Sequence, residues 1–188
     1  MRPRLFVISG PSGAGKGTLV ARVRNRRSLL DVAISCTTRR PRKGEVHGRD
    51  YYFLSDSEFL AREDAGEFIE SAYVHGHRYG TLKSEVERIM NQGNSCILEI
   101  DVQGGTSVKD LFPNTVLIFV ETPNLDDLEE RLRKRKSESD KDIELRLNNA
   151  AKEMVLSSTY DEIVVNDDIE RATNELLIIL QAYENEET

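Results

Sequence analysis

The sequence predicts an α/β domain in which a parallel sheet is covered by helices on both faces and interrupted by a small inserted module. Three observations predict it. Apolar, non-alternating runs at 5–8, 32–35, 96–100, 115–120 and 162–165 alternate with helix-period segments, the pattern of strands buried on both faces. The first run, Leu5-Phe6-Val7-Ile8, enters the glycine-rich turn Gly10-Pro11-Ser12-Gly13-Ala14-Gly15-Lys16-Gly17-Thr18, and Leu19, Val20, Ala21 and Val23 then follow at helical spacing. The stretch 36–81 breaks the alternation with short strands and polar loops, so it reads as an insert between two halves of one core.

A chain of 188 residues, 38% hydrophobic and 31% charged, is one soluble globular domain with a sizeable core. No run approaches the roughly 20 apolar residues of a membrane span. Because Met1-Arg2-Pro3-Arg4-Leu5 leads directly into a core strand, no signal peptide is expected. Cys36 and Cys96 lack metal-ligand spacing, which fits a reducing, cytoplasmic setting. A formal net charge of −7 argues against nucleic acid as the main partner.

The turn at 10–18 has the composition of a phosphate-binding loop. Glycines at 10, 13 and 15 let backbone N–H groups converge on phosphate oxygens. The following helix N-terminus adds unpaired donors and partial positive charge, and Lys16 adds a mobile full charge. The residue after the lysine is Gly17 rather than Ser or Thr, so no hydroxyl at 17 can ligate Mg²⁺, and Thr18 comes next.

In chain order, a helix is expected over 18–28 with Arg22, Arg24, Arg26 and Arg27 on its outer face, then the short strand Val32-Ala33-Ile34-Ser35. Between Arg39 and Arg49 five basic residues meet one acidic residue, a local +4 in an acidic protein. Tyr51-Tyr52-Phe53 resumes a strand, Ser55 or Ser57 caps a short helix to Glu63, and Glu67 to Val74 has strand character. Tyr79-Gly80-Thr81 ends the insert, and a helix runs from Leu82 to Asn91. The strand 95–101 ends on the carboxylate Asp101, a place close to a nucleotide's metal in a phosphate-loop fold. A helix stopped by Pro113, a strand at 115–120, and a helix carrying Leu125, Leu128 and Leu132 with the basic end 131–136 come next. Further on lie a helix through Leu145 and Met154, a strand at 162–165 leading to Asn166, and a final amphipathic helix. His47, His75 and His77 read as surface residues.

Three constellations beyond the loop carry chemistry. Arg39 and Arg42, with Ser35 and Tyr51, suit a phosphate monoester, because guanidinium forks bind phosphate oxygens bidentately; the alternative is a solvated basic loop. Glu70 with Thr81 suits guanine, whose N1–H and 2-amino group are adjacent donors, over adenine, whose N1 is an acceptor; the alternative is a surface glutamate on an edge strand. The basic segment 131–136 with Arg146 suits charge developing on a transferred phosphoryl group. Nucleic-acid binding and a solvated helix face are its alternatives, and the segment lacks the interleaved aromatics of a nucleic-acid surface.

Taken with Ser-Gly-Pro-Ser-Gly-Ala-Gly-Lys-Gly-Thr at 9–18, the stretches Thr37 to Tyr51, Gly66 to Glu70, Tyr79 to Thr81, Ile97 to Gly104 and Val165 to Asp168 resemble the guanylate kinase family over nearly the whole chain. The resemblance implies a P-loop sheet core (1–35, 82–125 and 158–188), a GMP-binding insert (36–81) and a helical lid (126–157). It implies transfer of the γ-phosphoryl group of ATP to GMP with Mg²⁺, in a cytoplasmic monomer or homodimer with no nucleic-acid or membrane partner. By the same resemblance, Ser35, Arg39, Arg42, Tyr51 and Tyr79 hold the GMP phosphate, and Glu70 and Thr81 read guanine with Asp101 nearby. Gly13, Ala14, Gly15, Lys16, Gly17, Thr18 and Arg135 bind ATP, Asn166 lies near its adenine, and Lys16, Arg39, Arg135 and Arg146 serve the transition state. Mg²⁺ is then held mainly by ATP phosphates and water, with Thr18 or Asp101 as candidate protein ligands. The segment Arg135-Lys136-Ser137 lacks the glycine that often follows the lid arginine in this family.

Overall fold

The computed structural model describes residues 2–74, 76–134 and 140–186. Five parallel strands form the main sheet: β1 (Leu5–Ser9), β2 (Leu30–Val32), β7 (Ser95–Glu99), β8 (Val116–Glu121) and β9 (Glu162–Val165), in the spatial order β2-β7-β1-β8-β9. Their side chains feed two cores, one per face. Phe6 and Ile8 of β1 join Ile97, Ile118 and Val120 on one face, while Leu5 and Val7 join Leu98, Leu117 and Phe119 on the other. Both faces being apolar explains why these segments lack alternation.

Helices α1 (Lys16–Arg26) and α7 (Ile169–Asn185) cover the first face through Leu19, Val23, Leu176 and Leu180. Helices α3 (Lys83–Asn91) and α4 (Val102–Leu111) cover the second through Val86, Ile89, Val102 and Val108. No helix among the described residues is long and apolar enough to cross a membrane.

The insert forms a separate mixed sheet, order β4-β3-β6-β5, from β3 (Cys36–Thr37), β4 (Tyr52–Phe53), β5 (Phe68–Val74) and β6 (His77–Leu82). Helix α2 (Asp56–Asp64) closes its small core of Cys36, Phe59 and Phe68, whose two rings stack at 4.4 Å. Ser55 starts α2 with a reciprocal cap: its hydroxyl accepts from the Glu58 N–H, and the Glu58 carboxylate accepts from the Ser55 N–H at 2.7 Å. Helices α5 (Leu125–Lys134) and α6 (Asp140–Val155) pack on each other through Leu128, Leu132, Ile143 and Ala150.

Two expected strands have different limits, each for a physical reason. The strand expected at 32–35 is Leu30–Val32: the Ala33 N–H still donates to the Ile97 carbonyl at 2.9 Å, but Ile34 turns to the Glu85 carboxylate and the Ser35 carbonyl accepts from the Tyr52 N–H of the insert. The strand expected to run to Asp101 stops at Glu99; Asp101 instead caps α4, its carboxylate accepting from the Gly104 N–H at 2.7 Å.

Candidate active site

The site lies at the carboxyl ends of the strands, where β1 is flanked by β7 and β8 and the chain connections diverge to the two sides of the sheet. At that point the backbone leaves β1 through Gly10 (φ 135), where a Cβ would stand 2.0 Å from the Val120 carbonyl oxygen. Only glycine fits there. The loop then enters α1, whose N-cap Gly15 makes no side-chain cap and whose first turn carries no acidic residue. The helix therefore presents its unpaired N–H groups to an incoming anion without an internal competitor.

The loop is braced from behind. Asn166, 3% exposed, donates from Nδ2 to the Ala14 carbonyl at 2.7 Å. Arg131 of α5 donates to the Ala14 and Asn166 carbonyls at 3.3 and 2.6 Å. Leu128 and Leu132 of the same helix press against Gly13, where an added Cβ would meet them at 3.0 and 3.1 Å. Lys16 folds over the loop and donates from Nζ to the Gly10 and Pro11 carbonyls, so it reaches a phosphate by exchanging those partners. Arg146 of α6 donates to the Ser12 hydroxyl at 2.6 Å, which brings the second expected cation to the loop. Arg135, the third, lies outside the described residues, as does His75.

One cleft of 380 Å³ joins this loop to the insert: Gly10, Ser12, Lys16 and Arg146 line it together with Ser35, Tyr51, Glu70, Tyr79 and Asp101. A larger hollow of 710 Å³ lies elsewhere, lined by Pro3, Met90, Leu111 and Phe112, and shares none of the loop residues. On the insert wall, Glu70 and Thr81 are register partners across β5 and β6, and the Thr81 hydroxyl lies 3.0 Å from the Ser35 hydroxyl. Burial pushes the Glu70 carboxyl up to about 7, with the nearby Asp101 charge adding to the rise and the hydrogen bonds from Thr81 opposing it.

The side of the insert expected to meet a phosphate is organised around Arg39. Its guanidinium stands 5.5 Å from the centre of the Tyr51 ring, and Tyr51 meets Tyr79 edge-on at 6.2 Å. Both Arg39 fork nitrogens are occupied by the Glu45 carboxylate, at 3.0 and 2.9 Å, and Glu45 also accepts from the Arg42 N–H at 2.6 Å. Those hydrogen bonds, led by Arg39, hold the Glu45 carboxyl below its ordinary range. Arg42 itself is exposed.

Several residues of the site were not singled out from the sequence. Glu99 lines the loop hollow with Gly13, Gly15, Lys16, Gly17 and Thr18, and a Cβ at Gly17 would stand 3.5 Å from both of its carboxylate oxygens. Desolvation pushes the Glu99 carboxyl up and Lys16 opposes the rise. Glu99 is thus the strand-end acid nearest the loop, two residues before the one expected; the earlier end of β7 was the missing signal. Asn149 and Glu153 also enter the cleft, sharing the face of α6 that carries Arg146. Burial pushes the Glu153 carboxyl up as well.

Among the described residues no group of three or more His, Cys, Asp or Glu side chains could enclose a metal. A hydroxyl at Thr18 and a carboxylate at Glu99 beside a phosphate loop do fit Mg²⁺, which takes one or two protein oxygens and completes its shell with phosphates and water.

Comparison with known proteins identifies the family. The guanylate kinase family model matches residues 2–183. A guanylate kinase of Fusobacterium nucleatum is 48% identical over 177 residues, covering 94% of this chain and 95% of the relative. One of Thermotoga maritima is 46% identical, covering 97% and 88%. The crystal structure of guanylate kinase from Anaplasma phagocytophilum superposes with a TM-score of 0.80 at 31% identity, covering 98% of this chain and 88% of that one. With the P-loop fold and relatives matched almost end to end, the chain is an enzyme of the guanylate kinase family.

Proposed function

We propose that the protein transfers the γ-phosphoryl group of ATP to GMP, with dGMP as an alternative acceptor, giving ADP and GDP in purine nucleotide metabolism. The observation that carries this reading is the cleft that Lys16, Glu70 and Asp101 line together. An oxygen of the GMP phosphate attacks the γ-phosphorus in line, the bond from that phosphorus to the β,γ-bridging oxygen breaks, and ADP leaves. Positioning and charge neutralisation carry the rate, with no covalent enzyme intermediate.

In this scheme Lys16 moves from the loop carbonyls to the ATP phosphates, and the α1 N-terminus binds their oxygens. Arg146 and Arg135 serve the charge on the transferred group. Arg39, Arg42, Ser35, Tyr51 and Tyr79 hold the acceptor phosphate, with Glu45 staying on Arg39 to orient its guanidinium. Glu70, as a carboxylate, accepts from guanine N1–H and the 2-amino group, with Thr81 fixing it and Asp101 alongside. Asn166 contributes to ATP binding through the Ala14 carbonyl that it holds. Thr18 and Glu99 would hold Mg²⁺, Glu99 taking the place next to the loop that Asp101 was expected to fill. That ion would supply charge neutralisation to the transferring phosphates. The insert at 36–81 and the lid at 126–157 close over both substrates and exclude water, the competing acceptor. The same reading makes the protein a cytoplasmic enzyme, monomeric or homodimeric.

The experiment is ADP release from ATP and Mg²⁺ with GMP, AMP, UMP or dTMP as acceptor, beside Lys16→Ala. The expected result is a GMP-selective signal that drops about a hundredfold or more in the variant. Turnover selective for AMP would overturn the guanine assignment, and silence with every acceptor in folded protein would overturn the kinase reading.

A further inference from the structure

The first turn of helix α4 carries two adjacent glycines that face different surroundings. A Cβ at Gly105 would meet the Tyr160 hydroxyl at 2.7 Å and Val7 Cγ1 at 3.3 Å, so that glycine lets α4 lie close on β1. A Cβ at Gly104 would instead stand 3.2 Å from Glu70 Oε2, 3.3 Å from Ile100 Cδ1 and 3.4 Å from Asp101 Oδ1. The space beside Gly104 is therefore where the two candidate base-reading carboxylates converge. The Gly104 N–H also fixes one of them, donating to Asp101 Oδ1 at 2.7 Å.

We infer that Gly104 is a positioning residue for acceptor recognition: its missing side chain leaves the Glu70 carboxylate room to stand beside the fixed Asp101 and face the acceptor base. The inference rests on the proposed GMP reading of this cleft. Gly104 has no left-handed backbone requirement, because it lies inside α4 and is absent from the positive-φ glycines. Alanine at 104 keeps the N–H that caps onto Asp101 and favours the helix. Its methyl group acts by pushing on Glu70, whose long side chain yields by a few tenths of an ångström and loses its aim at the base.

The test is steady-state kinetics and thermal unfolding of Gly104→Ala, with Gly105→Ala, Glu70→Asp and Glu70→Asp/Gly104→Ala alongside. For Gly104→Ala, KM for GMP rises roughly tenfold while KM for ATP and the unfolding temperature hold, in keeping with the steep cost of small misplacements in an oriented site. Gly105→Ala, which intrudes on the core, lowers the unfolding temperature instead. Aspartate at 70 is shorter by one methylene and clears the new methyl group, so the double variant binds GMP better than the product of the two single effects predicts. An unchanged KM for GMP in Gly104→Ala overturns the inference. So does a parallel loss for ATP and GMP with a lowered unfolding temperature, or strict multiplicativity in the double variant. Wild-type protein that does not use GMP overturns the functional reading itself, and the inference with it, in a separate arm of the experiment.

Discussion

Replacing Asn166 with alanine separates two roles for this residue. As an adenine neighbour alone, its loss would weaken ATP binding and leave the fold intact. The structure gives it a second task. Its amide is buried, donates to the Ala14 carbonyl at 2.7 Å and packs under Gly15 so closely that a Cβ there would stand 2.4 Å from Nδ2. Alanine removes that donor and leaves Ala14 with Arg131, whose donation is longer at 3.3 Å. A net hydrogen bond of about 1 kcal/mol and a small cavity term of similar size give a destabilisation of about 2 kcal/mol. For a domain of this length that lowers the unfolding temperature by roughly 4–8 °C. The loop amides also lose their brace, so KM for ATP rises several-fold while KM for GMP holds. Thermal or urea unfolding beside initial-rate kinetics reads both quantities. A variant as stable as wild type, with only KM for ATP raised, refutes the bracing argument.

Further outcomes follow from other parts of the cleft. Burial raises the Glu70 carboxyl from 4.5 to about 7, so kcat/KM for GMP falls as pH drops through about 7, and Glu70→Gln abolishes that dependence; an unchanged profile in Glu70→Gln contradicts the assignment. Because the folded state binds the Glu70 proton more tightly than the unfolded chain, stability from this group declines as pH rises from about 4.5 to 7. Glu70→Gln should then gain stability over wild type more at pH 8 than at pH 5 in urea unfolding. Glu45→Gln loosens the Arg39 fork and raises KM for GMP several-fold with little effect on ATP; equal losses for both substrates would show that Glu45 acts on the fold instead. Glu99→Gln raises the Mg²⁺ concentration needed for half-maximal rate, whereas Asp101→Asn mainly raises KM for GMP, and a reversal of that pattern would restore Asp101 as the metal-side acid.

The legible part of the protein is the part governed by local rules. Strand, glycine loop, lysine and helix occupy consecutive residues, so their spacing alone defines β1, the loop and α1. Apolar runs without alternation announced a sheet with two covered faces, and β1 does divide its side chains between two cores. The pairing of Glu70 with Thr81 was readable because a carboxylate and a hydroxyl fit guanine's donors, and the two are register partners.

What sequence reasoning missed depends on contacts between distant segments. Asn166 meets Ala14 across 152 positions of chain, which no spacing reveals. Ile100 continues the apolar run of β7, so the strand reads on to Asp101, yet the backbone turns after Glu99 to begin α4. Gly104 is one of two glycines in a row, and only the approach of β5 shows which of them faces Glu70. Glu45 is a single acid among five cations, and its capture of the Arg39 fork appears only once the loop is folded.

In the proposed reading, one cleft pairs a phosphate loop with a guanine-reading carboxylate. The most direct measurement is kcat/KM for GMP and for AMP in wild type and Glu70→Ala at pH 8, where Glu70 is ionised. The expected result is that GMP loses about a hundredfold or more while AMP does not fall with it, so the preference for GMP collapses. Equal losses for both acceptors, or an intact preference for GMP, would contradict it.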